Sequence, residues 1–346
     1  MNWDSEITRH KKARGRDMLI LAHYYQRDDV FAHADTSGDS YALAVSASRA
    51  QARLIVFCGV FFMAESAAAL AREGQEVFIP DQEAGCPLAD MIDPEQFQSA
   101  LDMITRHIRR PVVPLLYINS SARVKAAVAR AGGMTCTSSN AELLVRAILA
   151  EDGAVFFLPD KNLGLNTARA LGLPEHEIAV IGPKGPTSAL APDHRLIVWD
   201  GFCNVHVRFS HADVLRARSA YPYSRILVHP ECAPKVAAAA DYAGSTRGII
   251  NEVEKARAGE VLFIGTELNL VRRLSKARQD LKILPLRESG CVNMNKITPE
   301  KLAAALRTID DPESPYRVTV EPDIARLSGV SLERMIERVE RERSAV

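Results

Sequence analysis

Residues 201–206 read GFCNVH, a lone cysteine, Cys203, with a histidine, His206, three places on. A zinc or redox motif supplies a second cysteine at short spacing, and none stands near Cys203. Either Cys203 is an inert core thiol or its partners come from far away in the chain. Two other cysteines sit in comparable places, Cys86 in AGCP and Cys291 at the head of CVNMNKIT. Three thiolates with one open position could hold a zinc ion or a [4Fe–4S] cluster with one free iron. Residue types alone leave both open. Isolated cysteines in an enzyme core are often small apolar fillers. Cys58 and Cys136, inside or at the end of apolar runs, take that reading, and Cys232 stays unassigned.

Acid–base and anion-binding types stand beside the same kind of run. HYYQ carries His23 and Tyr25, HPEC carries His229 and Glu231, and YIN carries Tyr117 and Asn119. Histidine, tyrosine and glutamate suit proton transfer to a reacting centre. CTSSNA (136–141) and AGSTRG (243–248) place Ser138, Ser245 and Thr246 at strand-to-helix turns, and GDSYALA places Ser40 at a helix start. Backbone N–H groups at such turns suit an anion, although helix capping accounts for any one of these hydroxyls equally well. The histidines at 10, 33, 107, 176, 194 and 211 lie in polar or loop-like surroundings and are given no role.

What could bring these groups together is a repeat. Short β-rich runs alternate with helical stretches, the pattern of an α/β fold with parallel sheets. The runs form triplets: MLILAHYYQ, RLIVFCGV and EVFIPDQEAGC; then VVPLLYINSS, GMTCTSSN and AVFFLPDKN; then RILVHPEC, DYAGSTRG and VLFIGTELN. First strands end in His or Tyr with a further polar group, third strands end in Pro-Asp or Gly-Thr, and each third then delivers one of Cys86, Cys203 and Cys291. A period near a hundred residues indicates duplicated units. Ligands bind beyond the carboxyl ends of open α/β sheets, so three such ends facing one another would enclose one site. The pattern predicts three pseudo-repeated αβα domains with short parallel sheets around a central active site, over 1–108, 109–221 and 222–310. Residues 311–346 would pack back on the first, with YRVTV (316–320) as its fourth strand. The Pro- and Gly-rich 171–194 reads as an inserted surface excursion.

Bulk properties narrow the function. The chain has 346 residues, 47% hydrophobic and 25% charged, with 43 basic and 43 acidic side chains. That balance offers no basic footprint for nucleic acid or an anionic membrane. The start, MNWDSEITRH, has no signal-peptide pattern, and the longest apolar region is broken by Gly59, Glu65 and Ser66. A cytoplasmic chain with reduced cysteines is expected.

LAHYYQ, GDSYALA, YINSSARVKA, CTSSNA, FLPDKNLG, GFCNVH, VHPEC, YAGSTRGII, IGTELNLVRRL and CVNMNKITPEKL together resemble the quinolinate synthase family. The likeness runs in order from about residue 18 to about residue 308. It implies three αβα domains around one [4Fe–4S] cluster on Cys86, Cys203 and Cys291. It implies a transferase-type condensation of iminoaspartate with dihydroxyacetone phosphate to quinolinate, releasing phosphate and two waters, in NAD biosynthesis. An aspartate oxidase or dehydrogenase would supply the iminoaspartate. By residue-by-residue matching, the family's catalytic groups fall on His23, Tyr25, His206, His229 and Glu231. Its substrate-binding groups fall on Ser40, Tyr117, Asn119, Ser138, Ser245 and Thr246, with His23, His229 and Glu231 shared. Tyr25 with Glu231 is the expected acid–base pair.

The chain also departs from the family pattern. LRESGC lacks the extra cysteine that some members carry before the last ligand, so a redox switch there is not expected. Three rival readings remain. One is a zinc hydrolase on the three cysteines with His206, the second a hydro-lyase with the same cluster acting on another small carboxylate, and the third a cluster-bearing sensor without turnover.

Overall fold

The computed structural model describes residues 2–344. Among these, the strands form three sheets. The first contains β1 (Met18–His23), β2 (Thr36–Gly38), β3 (Leu54–Cys58) and β4 (Glu76–Phe78), in the order β2-β1-β3-β4. The middle sheet contains β5 (Val112–Tyr117), β6 (Met134–Cys136), β7 (Ala154–Leu158), β8 (Ile178–Gly182), β9 (Gly185–Pro186) and β10 (Leu196–Trp199). Its order is β6-β5-β7-β10-β8-β9. The third contains β11 (Arg225–Val228), β12 (Tyr242–Ala243), β13 (Val261–Gly265) and β14 (Lys282–Pro285), in the order β12-β11-β13-β14. One strand order thus occurs three times. Every pairing within these sheets is parallel except β8 with β9.

Strands such as β3 (LIVFC) and β7 (AVFFL) are apolar at every position and buried throughout, as parallel strands covered by helices on both faces must be. Helices begin directly after the strands on polar caps. Asp39 accepts from Ala42 N (2.9 Å) and Asp160 from Leu163 N (2.7 Å), and Ser245 accepts from Gly248 N (3.1 Å). These caps fix where each strand-end turn stops, and so where its side chains point.

Two expectations are corrected. The fourth strand of the first sheet is β2, not residues 316–320. Thr36–Gly38 is three residues long and largely polar, and its strand character comes from pairing with β1. Residues 316–318 instead run antiparallel beside β4, with Ile79 N donating to Tyr316 O (2.9 Å) and Val318 N to Val77 O (2.8 Å). Residues 171–194 are a surface excursion only in part: 183–193 are mostly exposed, while five residues before them join the sheet. Ile178–Gly182 extends the middle sheet beyond β10, alternating buried and half-buried positions.

The last helix, Pro322–Ser344, touches both neighbours. Its Ser331 shares a 2.8 Å hydrogen bond with Thr135 of β6, and Arg334 donates to the carbonyls of Ala129 and Gly133. At Gly329 a side chain would come within 2.8 Å of the Ala69 carbonyl behind the first sheet, so the helix approaches there at backbone contact. No helix among the described residues is long and apolar enough to cross a membrane.

Candidate active site

The carboxyl ends of the three sheets meet around an internal cavity of about 90 Å³. Its wall includes Cys86, Cys203 and Cys291, one from each third of the chain. Of the other residues singled out by sequence, His23, Tyr25, Ser40, Tyr117, Asn119, Ser138, His206, His229, Glu231 and Thr246 line the same cavity. Ser245 does not. Its hydroxyl caps the helix Thr246–Lys255, and it lines a separate pocket of about 540 Å³ that also touches Ser138. At the helix start 40–49, Asp39 is the cap, which leaves Ser40 on the cavity wall.

A hydrogen-bonded chain crosses the cavity. The Tyr25 hydroxyl bonds Thr246 Oγ1 (2.9 Å) and Thr266 Oγ1 (2.7 Å), and Thr266 Oγ1 in turn bonds His206 Nε2 (3.1 Å). His206 stacks on His229 with ring centroids 4.5 Å apart, and its Nδ1 faces a Glu231 oxygen. His229 Nε2 reaches Ser138 Oγ at 3.3 Å. Asn119 Oδ1 is buried without a partner, an acceptor left for something in the cavity.

Burial sets the protonation states. It holds His23 and His229 down at about 3, hence neutral, with Arg273 adding to the effect at His23 and His206 at His229. Burial pushes the Tyr25 phenol well above its ordinary value, so it keeps its proton. Burial also opposes charge on Glu231. There the His206 imidazole against it and the Tyr117 phenol outweigh it and hold the carboxylate down at about 2. The three thiols go the other way. Burial pushes Cys86 up to about 12 and raises Cys203 and Cys291, with Glu231 adding at all three, a neighbouring thiol at Cys86 and Cys203, and Glu267 at Cys291. Thiols so placed lose their protons to a metal rather than to water.

The turns that carry these groups are held from outside. Asn269 Nδ2, from the helix after β13, donates to Tyr25 O (3.0 Å). From the same helix Arg273 donates to the carbonyls of Tyr24 and Gln26 and bonds Asp28 (2.9 Å). Asn166 Nδ2, from the helix after β7, donates to Pro230 O (2.7 Å) and Cys232 O (2.8 Å) around Glu231. Glu65, from the helix after β3, accepts from Ala122 N (3.2 Å) beyond Asn119. The third sheet's helix clasps the first sheet's turn, the middle sheet's helix clasps the third's, and the first's clasps the middle's. Equivalent helices do equivalent work, and the clasps close head to tail into a ring.

Residues 5–337 match the family described as Quinolinate synthetase A protein. The chain belongs to that family. The quinolinate synthase of Herpetosiphon aurantiacus is 42% identical over 344 residues, covering 96% of this chain and 92% of that protein. The quinolinate synthases of Bacillus anthracis and Lysinibacillus sphaericus are 40% and 41% identical, each covering 97% of this chain and 93% of their own. A solved D-lactate dehydrogenase from Sporolactobacillus covers 87% of this chain and 99% of its own at 12% identity, with a TM-score of 0.17 that carries no argument.

The donors present are of the kind that would fit a cluster held by three cysteines. Soft sulfur atoms from three sheets face one cavity, all six cysteines are unpaired among the described residues, and the three concerned are half-buried rather than packed away. Cys58, Cys136 and Cys232 are fully buried, as core fillers are. Cys291 is further positioned by Glu267, which accepts from its backbone N–H (3.2 Å) and caps the helix Leu268–Ala277.

Several residues of the site carry little or no signal in the sequence. Thr266 and Asp160 sit at the Gly-Thr and Pro-Asp strand ends, so the repeat already pointed to them. Asn166, Asn269 and Arg273 carry no signal of their own, because their work lies in a neighbouring sheet. Lys125 is entirely buried, donating to Ser120 O at 2.5 Å, where a lysine on a helix reads as solvent-facing.

Proposed function

We propose that the chain condenses iminoaspartate with dihydroxyacetone phosphate to quinolinate, releasing phosphate and two waters, as a step of NAD biosynthesis. The observation that carries this reading is the meeting of Cys86, Cys203 and Cys291 in one cavity walled by proton-transfer groups. Residues 1–108, 109–221 and 222–310 are read as three αβα domains that each contribute one wall. The three cysteines would hold a [4Fe–4S] cluster, which when bound supplies a Lewis-acidic iron for hydroxyl departure.

The chain's own groups divide the remaining work. Glu231, ionised and accepting, takes a proton from the carbon of the triose. Tyr25, protonated and fixed by two threonine hydroxyls, donates one to the carbonyl oxygen, giving the enediol; Tyr25 then takes the proton of the hydroxyl on the deprotonated carbon while Glu231 returns its own to the former keto carbon, so that the terminal hydroxymethyl carbon becomes the aldehyde. Asn119, with its free Oδ1, and Tyr117 orient the dicarboxylate. Thr246 and Ser138, at the starts of two helices, contact the phosphate. His23 and His229, neutral, donate hydrogen bonds rather than charge. Closure of the cavity keeps water from the imine, which it would hydrolyse.

Iron and acid-labile sulfide, measured per chain after anaerobic purification, test the reading together with a quinolinate assay. About four of each are expected in wild type, as a cubane requires, and both fall away in Cys86→Ser, Cys203→Ser and Cys291→Ser along with product. A cluster that survives any of the three substitutions would falsify the three-cysteine site.

A further inference from the structure

We infer that Lys125 sets the charge the cavity accepts: its buried ammonium, behind the wall that carries Asn119, tunes the site for dicarboxylates. This rests on the reading of the cavity as a dicarboxylate site. The wall itself supplies no such charge. No lysine or arginine lines it. His23 and His229 are neutral, and the His206 imidazole is closed on Glu231. Glu231 is ionised, and thiolates around a cluster would add further negative charge. A dianion entering such a space meets repulsion at short range, with little water to screen it. Its compensation has to come from behind the wall.

Arg273 stands behind one part of the wall, but it is already occupied. It bonds Asp28 (2.9 Å) and the carbonyls of Tyr24 and Gln26. Lys125 is different. Among the described residues it is the one lysine or arginine that is fully buried. Its Nζ donates to the carbonyl of Ser120 (2.5 Å), the residue after Asn119. The same Nζ lies 5.3 Å from the centroid of the Phe62 ring, and Phe62 lines the cavity. An ammonium has three N–H donors, and among the described residues only Ser120 O accepts from this one. No carboxylate among them touches it. The carboxylate that faces it at longer range is Glu65, which accepts from Ala122 N (3.2 Å). Cys86 on the cavity wall stands in the same field.

An ammonium buried without a contacting counter-ion is costly to keep. Burial holds Lys125 down at about 8, so it is still charged at pH 7. Through a low-dielectric wall its field reaches the cavity with little loss. The counter-ion it lacks is then the ligand itself.

The probes are succinate and its monoamide succinamate, alike in size and shape and different by one charge. Calorimetry on the full-length chain, purified anaerobically, should show succinate bound more tightly. In the near-isosteric Lys125→Met, succinate should weaken about tenfold and succinamate only about threefold, because a field acts on each charge in turn. A purely structural role, through a slackened Ser120 turn, would weaken both by one factor. Glu65→Gln, which keeps an acceptor for Ala122 N, should act the other way and tighten succinate more than succinamate. The inference is overturned if wild type does not prefer succinate, or if the two ligands lose equally in Lys125→Met. Weaker succinate binding in Glu65→Gln also overturns it. Should Lys125→Met not fold by circular dichroism, the sign in Glu65→Gln decides. A second arm reads the cluster, whose reduction potential follows nearby charge. It should fall in Lys125→Met and rise in Glu65→Gln, and shifts of the same sign would count against a field. The two readings fail separately. Quinolinate made by a chain whose ligand losses are equal sinks only the inference, and charge-scaled losses in a chain that makes no quinolinate sink only the condensation.

Discussion

The turn after β1 and the turn after β11 both close on a buried imidazole whose Nδ1 accepts the backbone N–H two residues on. The donor is Tyr25 in the first (3.1 Å) and Glu231 in the third (3.4 Å). Each turn is clasped by a side-chain amide from a neighbouring sheet's helix, Asn269 in one case and Asn166 in the other. The backbone device is the same, while the group it presents is opposite. One turn offers a phenol that burial keeps protonated, the other a carboxylate that its neighbours keep ionised. A duplicated scaffold thus supplies two positions held by the same backbone bond, and on the proposed reading a single side chain in each sets which is acid and which is base.

Replacing those side chains tests the comparison hardest. Glu231→Gln is expected to lower kcat for quinolinate formation by about 10³-fold and Tyr25→Phe by about 10²-fold, within the range for general acid–base groups. Iron content should stay at wild-type level in Tyr25→Phe. Wild-type turnover in Glu231→Gln would end the assignment of opposite roles.

The imidazoles offer a gentler probe. His23 and His229 lie near 3 when folded, against about 6.5 in an unfolded chain. The unfolded state therefore takes up the protons first, so stability is full above about pH 6.5 and declines as pH falls toward 3. Linkage gives about 2 kcal/mol lost per imidazole between pH 7 and pH 5. In His23→Asn that share disappears, which denaturant melts at the two pH values would register as a shallower loss. An unchanged pH dependence would mean that His23 is not the neutral, buried group described.

The smallest expected effect separates the two clasps. Asn166→Ala leaves two buried carbonyls short of a donor and should cost about 2 kcal/mol. Asn269→Ala strips one backbone carbonyl and a contact to Asn295 and should cost about 1 kcal/mol. Equal losses in thermal melts would show that the turns are not held by these amides.

Much of this could be read before any coordinates. The apolar runs LIVFC and AVFFL are strands by composition, and Cys86, Cys203 and Cys291 stood out by their place in the repeat. β2 was illegible because Thr36–Gly38 has no strand signal without β1 beside it. The strand Ile178–Gly182 was hidden by the proline and glycine around it, although its own five residues alternate as an edge strand should. Local sequence does not distinguish a ligand contact from a cap at Ser245, whose hydroxyl accepts from Gly248 N (3.1 Å). Lys125 and Arg273 carry charges that read as solvent-facing in sequence, and only their buried partners show otherwise.

The ring of clasps has a consequence for how the cavity opens. Three links in a row would leave two ends free to drift, whereas a closed loop of three has no end. While any two hold, they keep the partners of the third at the high effective concentration of a short tether, so a broken link re-forms before the cavity floods. The links are not alike. Between the first and middle sheets the Glu65 contact is doubled by the last helix, pressed on Ala69 through Gly329 and tied to Thr135. That seam is covered by a helix, whereas the third sheet is joined by side chains alone, Asn166 on one side and Asn269 with Arg273 on the other.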